Sequence, residues 1–229
     1  MFSIIMPIDG NRLEQFKETK RVYDTFPQTK EFIMPTRSLE EVQAYFEAND
    51  MMKDVTFIPY EIEKGFNVSK ALNIGVRAAK YDSIIVSSPE VKPKTQVLEQ
   101  LEPLIGRNVV CQVWDEDENH KVYMSLVNSS FRGSTPAMYF LAMFNKADIE
   151  KINGWDEAFL AGYAYEDNDF GDRWVRAELP FEVHDEIEAV HQYHPRSETI
   201  QGGMSINANL YHQNNEEGII RPKKGLVLL

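Results

Sequence analysis

Along the first hundred positions, short apolar runs alternate with apolar stripes at helical spacing. Phe2 to Ile8 predicts a buried strand, ended by Pro7 and Asp9-Gly10. Asn11 with Glu14 resembles a capping pair and opens a helix to about Phe26; Phe32 to Met34 is a second strand. Ser38 and Glu41 form another capping box, for a helix through about Ala48, and Val55 to Tyr60 is a third strand. Between Asn67 and Lys80, Val68, Ala71, Leu72, Gly75, Val76 and Ala79 fall on one helical stripe, followed by the strand Ser83 to Val86. Strands alternating with helices predict an α/β fold with a mainly parallel sheet, right-handed crossovers and flanking helices.

The pattern changes near residue 105. Val109 to Trp114 and Val122 to Val127 flank the acidic turn Asp115-Glu116-Asp117-Glu118-Asn119 and predict a small antiparallel hairpin. Met138 to Phe144 reads as a strand, Lys146 to Ile152 as a short helix ended by Asn153-Gly154, and Asp167 to Glu178 as a helix burying Phe170, Trp174 and Val175. Phe181 to His184 and Ile187 to His191 read as two strands, and the polar stretch from Arg196 as a mobile loop or tail. The expected organisation is one domain over 1–229, with a nucleotide-binding half (1–105), an acceptor-binding and catalytic half (106–195) and the tail (196–229).

Composition narrows the partners. The 229 residues carry a formal charge of −12, and the basic residues cluster only at Arg221, Lys223 and Lys224. A face gripping a nucleic-acid backbone is usually basic, so nucleic acid is disfavoured as a partner. Cys111 is the single cysteine, which excludes an intrachain disulfide and fits a reducing compartment. No apolar stretch reaches the roughly 18–20 residues of a membrane span, and the N-terminus lacks a signal-peptide pattern. The expectation is a cytoplasmic protein.

The usual phosphate loops (G-x-G-x-x-G and G-x-x-x-x-G-K-[ST]), the G-x-S-x-G elbow, and the C-x-x-C and H-E-x-x-H zinc patterns are absent. Two segments stand out instead. One is Phe66-Asn67-Val68-Ser69-Lys70-Ala71-Leu72-Asn73-Ile74-Gly75, leading to a strand and then Ser87-Ser88-Pro89-Glu90. The other runs through Ile152-Asn153-Gly154-Trp155 and Tyr165-Glu166-Asp167-Asn168-Asp169-Phe170 to Val190-His191-Gln192-Tyr193-His194. From about residue 65 to 196 these blocks resemble, in order, those of the beta-1,4-galactosyltransferase family: F-N-R-A-K-L-L-N-V-G, a metal-binding D-x-D, I-N-G-F, W-G-G-E-D-D-D and a strand ending in a metal-binding His. The resemblance implies a GT-A (Rossmann-like) glycosyltransferase using a nucleotide-sugar donor, with UDP as the expected nucleotide. The family's mammalian members carry a membrane anchor and disulfides; this chain shows neither, and reads as bacterial or viral.

Ligands of open α/β sheets lie beyond the carboxyl ends of the strands, where Pro7, Ile8, Asp9, Thr36, Arg37 and Ser88 are candidates for the nucleoside and diphosphate. The resemblance adds Asn67, Lys70 and Asn73; Asn67 reads equally as a helix cap alone. It also aligns Asp167 with the base that takes the acceptor's proton, with Glu166 and Asp169 binding acceptor hydroxyls or supporting that base. Acids at a helix start also serve as caps, but three within four residues exceed what a cap needs. The D-x-D is degenerate, reading Ser88-Pro89-Glu90. Glu90 with His194 and His191 remains as a set for one divalent ion, Mn²⁺ or Mg²⁺; alternatively a cation such as Lys92, Arg132 or Arg196 stabilises the leaving group. Trp155, Tyr163 and Tyr165 read as an acceptor-sugar face or as core aromatics.

Three functions fit these observations. The first is transfer of a sugar from a UDP-sugar to an acceptor hydroxyl, with inversion. The second is a GT-A-like module that binds nucleotide or glycan without turnover, which the degenerate D-x-D motivates. The third, transfer to modified DNA bases, runs against the acidity.

Overall fold

The computed structural model describes residues 1–62, 67–126, 138–160, 164–195 and 203–227. Its first half follows the predicted alternation: β1 (Phe2–Ile5), α1 (Leu13–Tyr23), β2 (Lys30–Thr36), α2 (Leu39–Ala48), β3 (Val55–Pro59), α3 (Val68–Ala78) and β4 (Ser83–Ser87). These strands form the parallel block β3-β2-β1-β4. Every residue of β1 and β4 is buried, as continuous apolar runs require in a sheet covered on both faces. Gly75 lets α3 pack closely on β1: a Cβ on Gly75 would lie 2.3 Å from the Ile5 side chain.

The second half completes the same sheet. β5 (Val91–Pro93) and α4 (Val97–Leu101) precede the hairpin of β6 (Val109–Glu116) and β7 (Val122–Ser125), followed by β8 (Leu141–Asn145), α5 (Lys146–Lys151), α6 (Glu166–Arg176), β9 (Glu182–His191) and α7 (Gly203–Glu216). The strand order is β3-β2-β1-β4-β8-β6-β9-β5, with β7 on β6. β8 runs antiparallel to β4 and β6, while β6 and β9 are parallel. One sheet thus passes through both halves. Among the described residues no helix is long and apolar enough to cross a membrane.

Several local expectations are corrected. Neither capping box forms. Glu14 accepts a 2.6 Å bond from the Tyr45 hydroxyl, and α1 is entered through a 3-10 turn at Gly10–Arg12. Ser38 makes no side-chain cap, and the Glu41 carboxylate lies beside Gly10. The two strands expected over 181–191 are one, because β6 pairs along both parts across a register shift at Cys111/Gln112. Val175 is exposed, whereas Phe170 and Trp174 are buried. β5 and α4 are too short for periodicity to reveal them.

The largest correction concerns the expected tail, which contains the 14-residue helix α7. Its buried side chains include Asn207 and Asn214, so it has no apolar stripe to read from sequence. It docks through polar groups: Asn214 donates to Asp169 (2.8 Å) and Asp156 (3.2 Å), Asn207 to the Ala164 carbonyl, and the Tyr211 hydroxyl to Asp172. The following segment is strapped to Asn153, whose amide donates to the Pro222 and Val227 carbonyls and accepts from the Val227 N–H.

Candidate functional site

At the carboxyl end of the parallel block, Pro7 and Ile8 are buried, and the Ile8 N–H is tied to the Pro35 carbonyl. Asp9 holds Arg37 in an ion pair that includes a 2.9 Å bond from Arg37 Nε, and accepts the Arg37 backbone N–H at 3.2 Å. Thr36 is fully buried, and its hydroxyl accepts from the Ser38 N–H. Tyr60, which the sequence did not single out, joins this group. Its buried hydroxyl has no hydrogen-bond partner, and burial, then the charge of Asp9, push its titration up against the opposing pull of Arg37. Asp9, Thr36 and Arg37 are therefore brought together, with Tyr60 among them.

Asn67, Lys70 and Asn73 are positioned differently. Asn67 caps α3 by accepting from the Lys70 N–H (2.9 Å), while its amide donates to the Glu157 carbonyl. Lys70 Nζ donates to the Glu61 carbonyl. Asn73 is fully buried; it donates to the Trp155 carbonyl and the Glu157 carboxylate, and accepts the Trp155 N–H. The two asparagines thus clamp α3 to the Asn153-Gly154-Trp155 segment rather than facing open space. Asn153 and Gly154 both have positive φ, 61° and 67°, and a Cβ on Gly154 would sit 2.3 Å from Asn73 Oδ1. The two sequence blocks occur together because one bonds the other. Trp155 stacks on Phe170 at 4.0 Å and belongs to the core.

A second cluster forms where β5, β6 and β9 meet. The turn after β4 presents Ser88 and Glu90, and β9 ends at His191 with His194 just beyond. His191 Nε2 and His194 Nε2 each lie 3.5 Å from the same Glu90 oxygen, and Arg12 Nε is 3.7 Å from it. The opposite ring nitrogens are occupied: His191 Nδ1 meets Asp115 at 2.9 Å and His194 Nδ1 meets the Pro195 carbonyl at 2.9 Å. Phe140 packs edge-on to the His191 ring. Burial raises the Glu90 titration, but the bonds from His191 and His194 and the charges of His191 and Arg12 outweigh it, holding the carboxyl far below the usual carboxylate range. For His191 burial lowers the titration, and Glu90 and Asp115 reverse this to a net rise.

This set fits a divalent ion. Metal-binding histidines characteristically present one nitrogen to the ion while a carboxylate or carbonyl holds the other, and both rings are arranged that way. The second Glu90 oxygen is buried with no hydrogen-bond partner, so the carboxylate retains a free donor. Glu90, His191 and His194 are, among the described residues, the one group of at least three such side chains with ligand atoms all within 4.8 Å of one another. The cation beside Glu90 is Arg12, which was not among those expected; of the expected ones, Arg132 and Arg196 lie outside the described residues, as does Tyr163.

The third cluster opens α6. Ala164 and Tyr165 take positive φ, 70° and 74°, at the positions where the family pattern has Gly-Gly, a strained conformation for residues with a Cβ. Tyr165 packs on Tyr211. Burial, then the charge of Asp167, raise the Glu166 titration well above the carboxylate range. Asp167 accepts from the Asn168 N–H at 2.8 Å. Asp169 is turned away: it is fully buried, bonded to Arg173 Nε at 2.6 Å and to Asn214 at 2.8 Å. Its place is the anchor of α7, not an open site.

The charges of both acid groups act on Tyr139. Its hydroxyl hydrogen-bonds Ser88, and its titration is raised by burial and by the charges of Glu90, Glu166 and Asp167. Sequence reading missed Tyr139, Asp115 and Arg12, which lie in no recognised block.

Residues 124–198 match a family model described as the N-terminal domain of galactosyltransferase. The match spans the Asn153 segment, the acids of α6 and both histidines, and excludes Glu90. No curated protein matches the chain. The fold is similar to solved structures of S. aureus TarS 1–349: one of TarS 1–349 (TM-score 0.64, 12% identity, 83% of this chain and 60% of that one), one in complex with UDP (0.65, 12%, 85% and 61%) and one in complex with UDP-GlcNAc (0.68, 11%, 92% and 65%). The chain therefore spans under two thirds of the length of these structures. This likeness shows an α/β fold of GT-A type.

Proposed function

We propose that the chain is a glycosyltransferase that moves a sugar from a UDP-sugar to an acceptor hydroxyl with inversion at the anomeric carbon. The observation that carries this reading is the Glu90–His191–His194 cluster, whose ligand atoms all lie within 4.8 Å of one another where the turn after β4 meets the end of β9. The galactosyltransferase match over 124–198 and the presence of UDP and UDP-GlcNAc in the structurally similar TarS support the donor class.

In this reading the Asp9–Arg37–Tyr60 group receives the nucleoside end of the donor. Asp167 accepts the proton of the acceptor hydroxyl while that oxygen attacks the anomeric carbon from the face opposite the diphosphate. The bond from the anomeric carbon to the diphosphate oxygen breaks as the new one forms, and the oxygen departs with the electron pair. Glu166, holding its proton at neutral pH, donates a hydrogen bond to substrate. A raised carboxyl beside a second carboxyl is an arrangement by which neighbouring acids divide acid and base roles. Glu90, His191 and His194 would hold a divalent ion, which when bound supplies a Lewis acid against the diphosphate charge. Arg12 adds a fixed positive charge at the same place.

A screen of nucleotide sugars by thermal shift, with and without Mn²⁺, and by transfer to candidate acceptors tests this. UDP compounds should raise the melting temperature, and Asp167→Asn should keep that shift while losing about 10²–10⁴ of the transfer rate. Binding of adenosine or guanosine nucleotides alone would refute the donor assignment. UDP-sugar binding without turnover on any acceptor would favour a binding module, a reading motivated by Ser88 at the first acid of the D-x-D.

A further inference from the structure

We propose that Asp115 is the positioning residue for His191 in the cation site, and that its contact sets the affinity of that site for transition-metal dications. This rests on the metal reading of Glu90, His191 and His194 given above. Asp115 lies on β6, outside every sequence block that pointed to the site, 76 positions before His191. The parallel register of β6 and β9 sets the two residues directly opposite each other. A register shift between Asp115 and Glu116 in the β6–β7 ladder adds a bulge at that point, a device that re-aims a side chain.

The carboxylate has two engagements. One oxygen faces His191 Nδ1 at 2.9 Å; the other accepts from the Tyr123 hydroxyl at 2.7 Å. With its proton on Nδ1, the imidazole turns its Nε2 lone pair toward Glu90, where the second imidazole also points. Three acceptor atoms facing one another repel unless protons or a cation lie between them. A carboxylate behind the imidazole makes Nε2 a stronger donor and holds the ring plane, and loss of such a contact typically weakens metal binding 10–100-fold. Two imidazoles with one carboxylate favour Mn²⁺, Co²⁺ or Zn²⁺ over Mg²⁺, which prefers oxygen ligands.

The test is calorimetric titration of the full chain with Mn²⁺ and Mg²⁺, beside the melting temperature of the metal-free protein. Asp115→Asn keeps an acceptor but loses the charge, and should weaken Mn²⁺ binding about tenfold; Asp115→Ala should approach 100-fold. Because Asp115 lies in the last two residues of β6 and its side chain is partly exposed, the metal-free melting temperature should stay within about 3 °C of wild type. Glu116→Gln, next in the chain but paired with His120, should leave Mn²⁺ affinity unchanged. Mn²⁺ affinity lost in Glu90→Gln but intact in both Asp115 variants would overturn the role of Asp115 alone. Absence of Mn²⁺ binding by the wild type would overturn it together with the metal reading.

Discussion

At the scale of single residues, the acid pair opening α6 shows how environment divides two adjacent carboxyls. Burial and the Asp167 charge both favour the protonated form of Glu166. A carboxyl raised in the folded chain has no effect on stability below its ordinary range, where folded and unfolded chains are both protonated. It destabilises progressively as pH climbs from the ordinary range to the raised value, above which the loss is complete. Glu166→Gln should therefore melt with wild type near pH 4 and above it at pH 8 to 9, by about 1 kcal/mol or roughly 2–4 °C. A gain equal at both pH values would mean that Glu166 ionises normally. Asn73 makes the opposite case. Replacing it with alanine strips partners from the Trp155 N–H and carbonyl in a closed interior and should cost about 2–4 kcal/mol in chemical denaturation. A ligand-binding asparagine would instead lose affinity with stability intact.

At the scale of elements, legibility follows the kind of side chain an element buries. α3 announces itself because Val68, Ala71, Leu72 and Val76 form one buried stripe. The parallel strands do so because both faces are covered. α7 does not, because it docks through Asn207, Asn214 and Tyr211, residues that look like surface until their partners are known. The site divides the same way. Glu90, His191 and His194 were readable from local pattern and the order of blocks. Asp115 was not, since only strand register brings it in. Asn67 and Asn73, read as nucleotide contacts, sit where the blocks bind one another. The docking of α7 makes its own prediction. Asn214→Leu preserves bulk but removes a donor from Asp169 and Asp156, and should destabilise by about 2–3 kcal/mol. If α7 were a loosely held tail, the same change would be silent.

At the scale of the whole molecule, a chain of formal charge −12 has to receive a diphosphate if the functional reading holds. The cluster proposed for that charge is itself built on a carboxylate, with Arg12 as a fixed cation against it. A dication held there would be bound more tightly when a diphosphate shares it, and the diphosphate more tightly when the dication is present. Such linkage is reciprocal: the factor by which Mn²⁺ improves UDP affinity must equal the factor by which UDP improves Mn²⁺ affinity, and couplings of this kind run at about 5–150-fold. UDP and Mn²⁺ together should raise the melting temperature by more than the sum of their separate shifts, and uridine, lacking phosphates, should show no such excess. Asp9→Ala tests whether the strand-end group participates. It removes the partner of Arg37 far along the chain from the histidines, so it should weaken UDP binding while leaving Mn²⁺ binding by the nucleotide-free protein untouched. Equal weakening of both would mean that the two clusters do not divide the donor as nucleoside end and diphosphate end.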